Sequence, residues 1–406
     1  MLPYLTINDM AASIPALVEP AVLRWARQTV DLTLVAAARK IGVADDRVDQ
    51  WEAGDEIPTI AQLQRAAKVY RRSLAVFFLA TPPTDFDTMR DFRRLDGAEA
   101  GRWSADLHSE YRRAHVQRDY LLELDELDEI EPATDWRLRQ IPDDDEALAA
   151  QARRVLLAVT PLPLPTGAST PYEHLNTWVA ALERAGVLVM ATKGGRGTVG
   201  EMRGFSLYFE QLPVIVVNGA DYPRGRLFTL MHEYAHLLLH SEGLCDTTTD
   251  PRATDPNRRL EARCNAIAAA MLMPAAEVMA RPEVIARTDD PDTWDYSALR
   301  AAAAPFGVSA EAFLRRLVTL ARARLEFYQA RRPEFLAAYE QDEQSKSTGG
   351  NWYRNTVRDL GKGYVRAIAD AHRRRVIDSN TAAVYMGVKV DQIQRLADTA
   401  SLREAV

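Results

Sequence analysis

In the run RLFTLMHEYAHLLLH, three residues stand at a spacing that serves hydrolytic chemistry: His232, Glu233 and His236. On an α-helix, His232 and His236 lie about 40° apart in azimuth and about 6 Å apart in rise, so both imidazoles can reach one metal ion. Glu233 projects about 100° round from His232, too far to be the next ligand but placed to contact a water that the ion polarises. A metal lowers the pKa of such a water toward about 7, and a carboxylate can then take its proton as the water attacks a carbonyl. With 7 histidines in 406 residues, chance produces His-acid-x-x-His less than about 2% of the time. The bland alternative is a pair of hydrogen-bonded histidines on a core helix.

A catalytic zinc site needs a third protein ligand and one open position. His240 is four residues further on, but about 12 Å in rise from His232, too far to share the ion. A three-histidine metzincin pattern would need Gly at 239 and His at 242, where this chain has Leu239 and Glu242. The preferred third ligand is Glu261, in RRLEARCNAIAAAMLMP. Its helix carries Ala262, Ile267, Ala268, Met271 and Leu272 and so packs inside, where an unpaired carboxylate is costly. Asn265, one turn later, is placed to hydrogen-bond a ligating histidine. Glu242 is the fallback ligand and Cys245 a weaker one. Cys264 reads as a core residue, and His108, His115, His174 and His372 as isolated surface or structural residues. Tyr208, Tyr222 and Arg203 flank the expected cleft and can each steady an oxyanion; the sequence does not choose between them.

The surrounding chain must hold these groups in place. PYEHLNTWVAALERAG reads as a helix, followed by three short strands, VLVMAT, RGFSLYFEQ and PVIVVNG, with alternation in GFSLYFE suggesting one covered face. The metal helix starts after Pro223. Upstream, VTPLPLPTGASTP is a Pro-rich break and the best domain boundary. Residues 84–160 read as mostly helical, with YRRAHVQRDYLLELDEL a solvated linking helix. Residues 15–80 read as short helices with tight turns, Thr33 capping one, and Gly42 and Gly54 each ending one. The tail resembles a second helix-turn-helix, with Ser379 and Thr381 starting a helix and Gly387 ending it, beside Arg373, Arg374 and Arg375; the favoured rival is a partner-docking helical cap with a solvated basic face.

Charge is uneven. Residues 121–150 hold 11 acids against 2 arginines, within a whole-chain net of −7, while residues 351–406 carry ten bases and six acids. The overall balance argues against an indiscriminate nucleic-acid binder. No apolar run approaches the roughly 18 residues of a membrane span, and MLPYLTINDM has neither the basic start nor the apolar core of a secretory signal. Two cysteines exclude a disulfide framework and point to a reducing cytoplasm.

The stretch AAARKIGVADDRVDQWEAGDEIPT, with its Trp51-Glu52-x-Gly54 ending, resembles the Xre (Cro/repressor-like) helix-turn-helix family. Arg47 and Gln50 are then the base-reading candidates. The presumed recognition helix, however, carries Asp45, Asp46, Asp49 and Glu52, and residues 1–80 balance nine bases with nine acids. A docking or dimerisation module is therefore the rival to DNA contact. The run from RGFSLYFE through PVIVVNG, RGRLFTLMHEYAHLLLH and LEARCNAIAAAMLMP, some 75 residues, looks like the ImmA/IrrE family of metallopeptidases. PFGVSAEAFLRRLVTL is similar to the helical segment that follows the core in that family, and DFRRL at 91–95 fits members with an Xre-like module in front.

The resemblance implies His232, His236 and Glu261 as metal ligands and Glu233 as general base. It further implies a cytoplasmic protease that cleaves a repressor or partner protein under stress, often in prophages, mobile elements or toxin–antitoxin-like pairs. Some fused members accompany a PIN-like ribonuclease toxin as antitoxin or regulator. The expected fold is α+β and mostly helical: a five-helix Xre-like domain (1–82), a helical linker region with the acidic stretch (83–168), a zincin-like metallopeptidase core with a small sheet (169–345) and a helical C-terminal unit (346–406). The expected function is a metal-dependent endopeptidase, holding Zn2+ or alternatively Mn2+, acting on a protein substrate, with DNA a further partner, no membrane association and a homodimer as the Xre-like expectation. The alternative is a regulator or antitoxin that binds DNA or a toxin, with the metal site structural or vestigial.

Overall fold

The structure, a computed structural model, describes residues 15–28, 30, 32–70, 72, 74–82, 105–159, 169–193, 202–240, 243–244, 256–287, 292–344 and 351–401. They fall into two compact units divided between Arg113 and Ala114, inside one long helix.

The first unit packs helices α1 (Pro20–Gln28), α2 (Leu34–Ile41), α3 (Arg47–Ala53) and α4 (Ile60–Val69) round Val22, Ala37, Trp51, Leu63 and Phe77. Thr33 caps α2 by accepting from the Ala36 amide at 3.2 Å, and Gly42 and Gly54 end α2 and α3 in the left-handed conformation, at φ 76° and 85°. Thr59 and Gln62 close a reciprocal capping box on α4. The last of the five helices expected over residues 1–82 is instead a 3-10 turn over Leu74–Phe78. Glu52, counted among the acids of the recognition helix, points inward. It is buried, and accepts two hydrogen bonds from the Arg27 guanidinium at 2.7 and 2.8 Å. That leaves Asp45, Asp46 and Asp49 as the acids of that face.

Helix α5 (Ala105–Leu127) crosses the division. Its second half is not a solvated linker. Gln117 donates to the Leu360 carbonyl at 3.2 Å, Arg118 to the carbonyls of Gln211 and Leu212 at 2.9 and 3.1 Å, and Tyr120 stacks on Tyr385 with ring centroids 4.0 Å apart. Helix α6 (Asp145–Val159) then lies against the later helix that carries Glu261, and α7 (Pro171–Arg184) precedes the sheet. The Pro-rich break falls mostly outside the described residues, as do DFRRL and the Gly-rich KGGRGTVG turn after Lys193.

The sheet has the order β1 (Leu188–Ala191), β3 (Val214–Val217), β2 (Gly204–Leu207), β4 (Gly243–Leu244). β1 runs parallel to β3, with Leu188 opposite Val214, while β2 is antiparallel to both β3 and the two-residue β4. The first three are the strands expected; β4 is an addition. Every residue of β1, β2 and β3 is buried, as continuous apolar strands covered on both faces should be. The single covered face read from GFSLYFE is thus corrected. Phe205 and Leu207 point to one layer, and Ser206 faces the metal helix on the other.

Helix α8 (Pro223–Leu238) crosses β2 and β3 and packs along α9 (Pro256–Leu272). Gly204 permits the close approach of β2, because a Cβ there would sit 2.5 Å from Thr229 Cγ2. Short helices α10 (Ala275–Met279) and α11 (Pro282–Ile285) lead to α12 (Tyr296–Ala303), α13 (Ala310–Thr319) and α14 (Leu325–Gln344). Arg316 on α13 is buried, donates to the Met273 carbonyl at 2.9 Å and forks onto Glu146 of α6, tying these helices together.

The tail forms α15 (Trp352–Leu360), α16 (Lys362–Arg373), α17 (Ser379–Met386) and α18 (Ile393–Ser401). Asp378, rather than Ser379, caps α17, accepting from the Thr381 amide at 2.7 Å. Two arginines of the three-arginine run are paired: Arg373 with Asp370, and Arg374, which forks onto Asp128 while also reaching Asp370; Arg375 is exposed. Among the described residues no helix is long and apolar enough to cross a membrane.

Candidate metal centre

Two buried helices build the site. α8 supplies His232, Glu233 and His236, all within 1% of full burial, and α9 brings Glu261, 7% exposed, against them. The His232 and His236 Nε2 atoms lie 3.1 Å apart; Glu261 Oε2 is 3.3 Å from the first and Oε1 3.4 Å from the second. A zinc ion with bonds of about 2.0–2.1 Å and tetrahedral angles spaces its ligand atoms about 3.3 Å apart, so the three donors already stand at the separations such an ion requires. Two lone-pair-bearing nitrogens and a carboxylate converge on one point, which favours a cation there. Asn265, one turn after Glu261, sets the tautomer: its Oδ1 lies 3.0 Å from His232 Nδ1, so Nδ1 carries the proton and Nε2 keeps its lone pair for a metal.

Burial works to raise the Glu261 carboxyl, but hydrogen bonds and charge from the two histidines in their proton-bearing form outweigh it and hold it at about 2. Glu233 behaves oppositely. Burial pushes it up to about 8, against the pull of His236 and of Ser206, whose Oγ donates to Oε2 at 2.8 Å. Its other oxygen, Oε1, is buried with no hydrogen-bond partner, an acceptor held ready for something not supplied by the chain. Ser206 was not among the residues singled out from sequence; the one polar residue inside a buried strand was the signal.

The remaining candidates separate by position. His240 follows α8 and is exposed, with its Nδ1 3.4 Å from the Tyr208 hydroxyl. Tyr222 is the N-cap residue at the opposite end of α8, and Arg203 lies exposed before β2, its carbonyl accepting from the Asn218 amide. Cys264 is fully buried and burial drives its thiol well above the usual range, as suits a core residue. His174 is buried, not on the surface, and His372 meets Ser379 Oγ at 3.0 Å. Glu242 and Cys245 lie outside the described residues. In the first unit, Arg47 pairs with Glu56, and Gln50 Nε2 donates to Asp46 at 3.1 Å.

Residues 182–318, from the end of α7 to α13, match the family model of the IrrE N-terminal-like domain, peptidase M78. The chain carries an IrrE-like metallopeptidase domain. Residues 23–77 match a helix-turn-helix family model, which places an Xre-type module in front of it. No curated protein gives a significant match. The IrrE-like domain contains the whole His232–His236–Glu261 cluster, the one group of metal-ligating type found among the described residues, and the family implies a metal ion for it.

Proposed function

We propose that this protein is a metal-dependent endopeptidase in which His232, His236 and Glu261 hold a zinc ion (manganese being the alternative) and Glu233 is the general base. The observation that carries the reading is the unpartnered Oε1 of Glu233 beside three converging ligand atoms. When bound, the ion supplies Lewis acidity toward a water and a peptide carbonyl. Glu233 takes the proton of the attacking water and hands it to the leaving amine as the C–N bond breaks. Ser206 fixes the carboxylate so that Oε1 is the oxygen that works.

The substrate in this reading is a protein strand, from a repressor or toxin-like partner in a stress, mobile-element or toxin–antitoxin setting, and the helix-turn-helix module addresses the enzyme to that partner or to DNA. A regulatory reading, in which binding alone acts, draws its support from the same module. Metal content and proteolysis of the purified chain decide between them. One zinc per chain, lost in Glu261→Ala, with cleavage abolished in a Glu233→Gln variant that keeps its metal, is the expected result. Persisting cleavage in Glu233→Gln would remove Glu233 from its role, and a chain that takes up no metal on reconstitution would leave the regulatory reading.

A further inference from the structure

Hydrolysis of a peptide builds negative charge on the carbonyl oxygen, and a positioned donor there is worth more in the transition state than in the ground state. Strand β2 lies along helix α8 in register: Gly204 abuts Thr229 and Glu233, Ser206 bonds Glu233, and Tyr208 meets His240. Side chains two apart on a strand share a face about 7 Å apart, so Tyr208 follows Ser206 along the face that looks onto the metal helix. His240 follows His236 by four residues, just past the C-terminal end of α8. Tyr208 is therefore the next residue after Ser206 on the strand side that faces α8, with its hydroxyl at the C-terminal end of that helix.

Exposure gives the direction of approach. His232, Glu233, His236 and Ser206 are buried, whereas Tyr208 is half-buried and His240 exposed, so exposure rises from the cluster toward Tyr208 and His240. Its ring is held edge-on by Trp136, with centroids 5.9 Å apart, and lies 5.0 Å from the His240 ring. His240 adopts φ 53°, a left-handed conformation that costs a non-glycine residue about 1 kcal/mol or more. The αL turn at the end of α8 thus fixes where the His240 ring stands, against Tyr208. The other two candidates stand apart: Tyr222, ten residues before His232, caps the far end of α8, about 15 Å away in rise, and Arg203 belongs to that same end.

We propose that the Tyr208 hydroxyl, oriented by His240, donates a hydrogen bond to the carbonyl oxygen of the scissile peptide as that oxygen becomes negative. The inference rests on the peptidase reading. His240 donates its Nδ1 proton to the Tyr208 oxygen, which frees the phenolic proton for the substrate; Tyr208 keeps that proton throughout, and the water proton travels through Glu233 to the amine. His240 is thus a positioning residue.

The test uses the zinc-loaded full chain, unfolded casein as substrate and a phosphinic peptide as tetrahedral probe. Tyr208→Phe keeps the ring packing, so metal content and melting temperature should stay at wild-type values. Its kcat should fall on the order of a hundredfold with KM little changed, and binding of the phosphinic peptide should weaken. His240→Phe should lower kcat similarly, and His240→Asn, which restores a donor, should recover most of it. Wild-type kcat and probe affinity in Tyr208→Phe would overturn the assignment while leaving the peptidase reading intact. A zinc-loaded wild type that neither cleaves casein nor binds the probe would overturn both.

Discussion

Ser206 Oγ donates to Glu233 Oε2 across 2.8 Å of fully buried space, joining the middle of strand β2 to the metal helix. The bond uses one carboxylate oxygen and leaves Oε1 as the free acceptor. Ser206→Ala deletes the donor and leaves a second buried oxygen unpaired, which costs about 1–3 kcal/mol. The variant should melt earlier, retain its metal, and lose about tenfold in kcat because Glu233 is no longer held in one rotamer. Calorimetry and metal analysis on the same sample separate the two effects.

Glu183, on α7, accepts a hydrogen bond from the Gly363 amide of the C-terminal unit at 2.8 Å. Burial pushes its carboxyl up to about 7, outweighing that bond and the nearby Arg366, Lys362 and Arg184. An acid whose folded pKa exceeds its unfolded value binds its proton more tightly when folded. Its contribution to stability therefore falls as pH rises from about 4.5 to 7 and is flat above. Glu183→Gln keeps the acceptor oxygen and removes the charge. Urea midpoints should show the variant near wild type at pH 5 and more stable than wild type at pH 8; an equal difference at both pH values would contradict this assignment of the titrating group.

The HExxH spacing and Glu261 were legible because helical geometry is fixed: four residues bring two imidazoles to one side, and an acid in an apolar helix needs a partner. Asn265 followed from the same arithmetic. Ser206 did not, since its role depends on which face of β2 meets α8, and that is settled by Gly204 allowing the two to touch. Glu52 was misread for a related reason. A short helix of seven residues, RVDQWEA, has too few apolar positions to declare its buried side, and the bond to Arg27 decides it from a distant element. The packed second half of α5 was hidden by its evenly spread charges: Arg118 and Arg374 satisfy backbone carbonyls and a remote Asp128 that no local pattern reveals.

The Arg27–Glu52 pair carries a stability prediction of its own. Glu52 is 4% exposed and Arg27 13%, and removing one partner of such a pair leaves an uncompensated charge, at about 3–5 kcal/mol. Glu52→Ala should therefore unfold the helix-turn-helix unit at markedly lower urea while the IrrE-like domain stays folded. Limited proteolysis, followed by mass analysis of the surviving fragment, reads both outcomes together, and a helix-turn-helix unit as resistant as wild type would count against the pair.

Base reading by the helix-turn-helix unit meets a local competitor. Arg47 is held by Glu56 and Gln50 by Asp46, so each base-reading candidate must leave an intramolecular partner before it can face a base edge, and Asp46 and Asp49 on the same short helix repel phosphates. If the unit binds DNA, Asp46→Asn together with Glu56→Gln should raise affinity by about tenfold or more, since each change removes a negative charge near the groove and leaves only a weaker, neutral acceptor to compete for Gln50 and Arg47. The gain should shrink as salt rises, because the removed charges act through screened electrostatics. Titrating labelled duplex at 50 and 200 mM salt measures it; affinity unchanged by the double substitution at low salt would mean that these acids do not restrain the recognition helix.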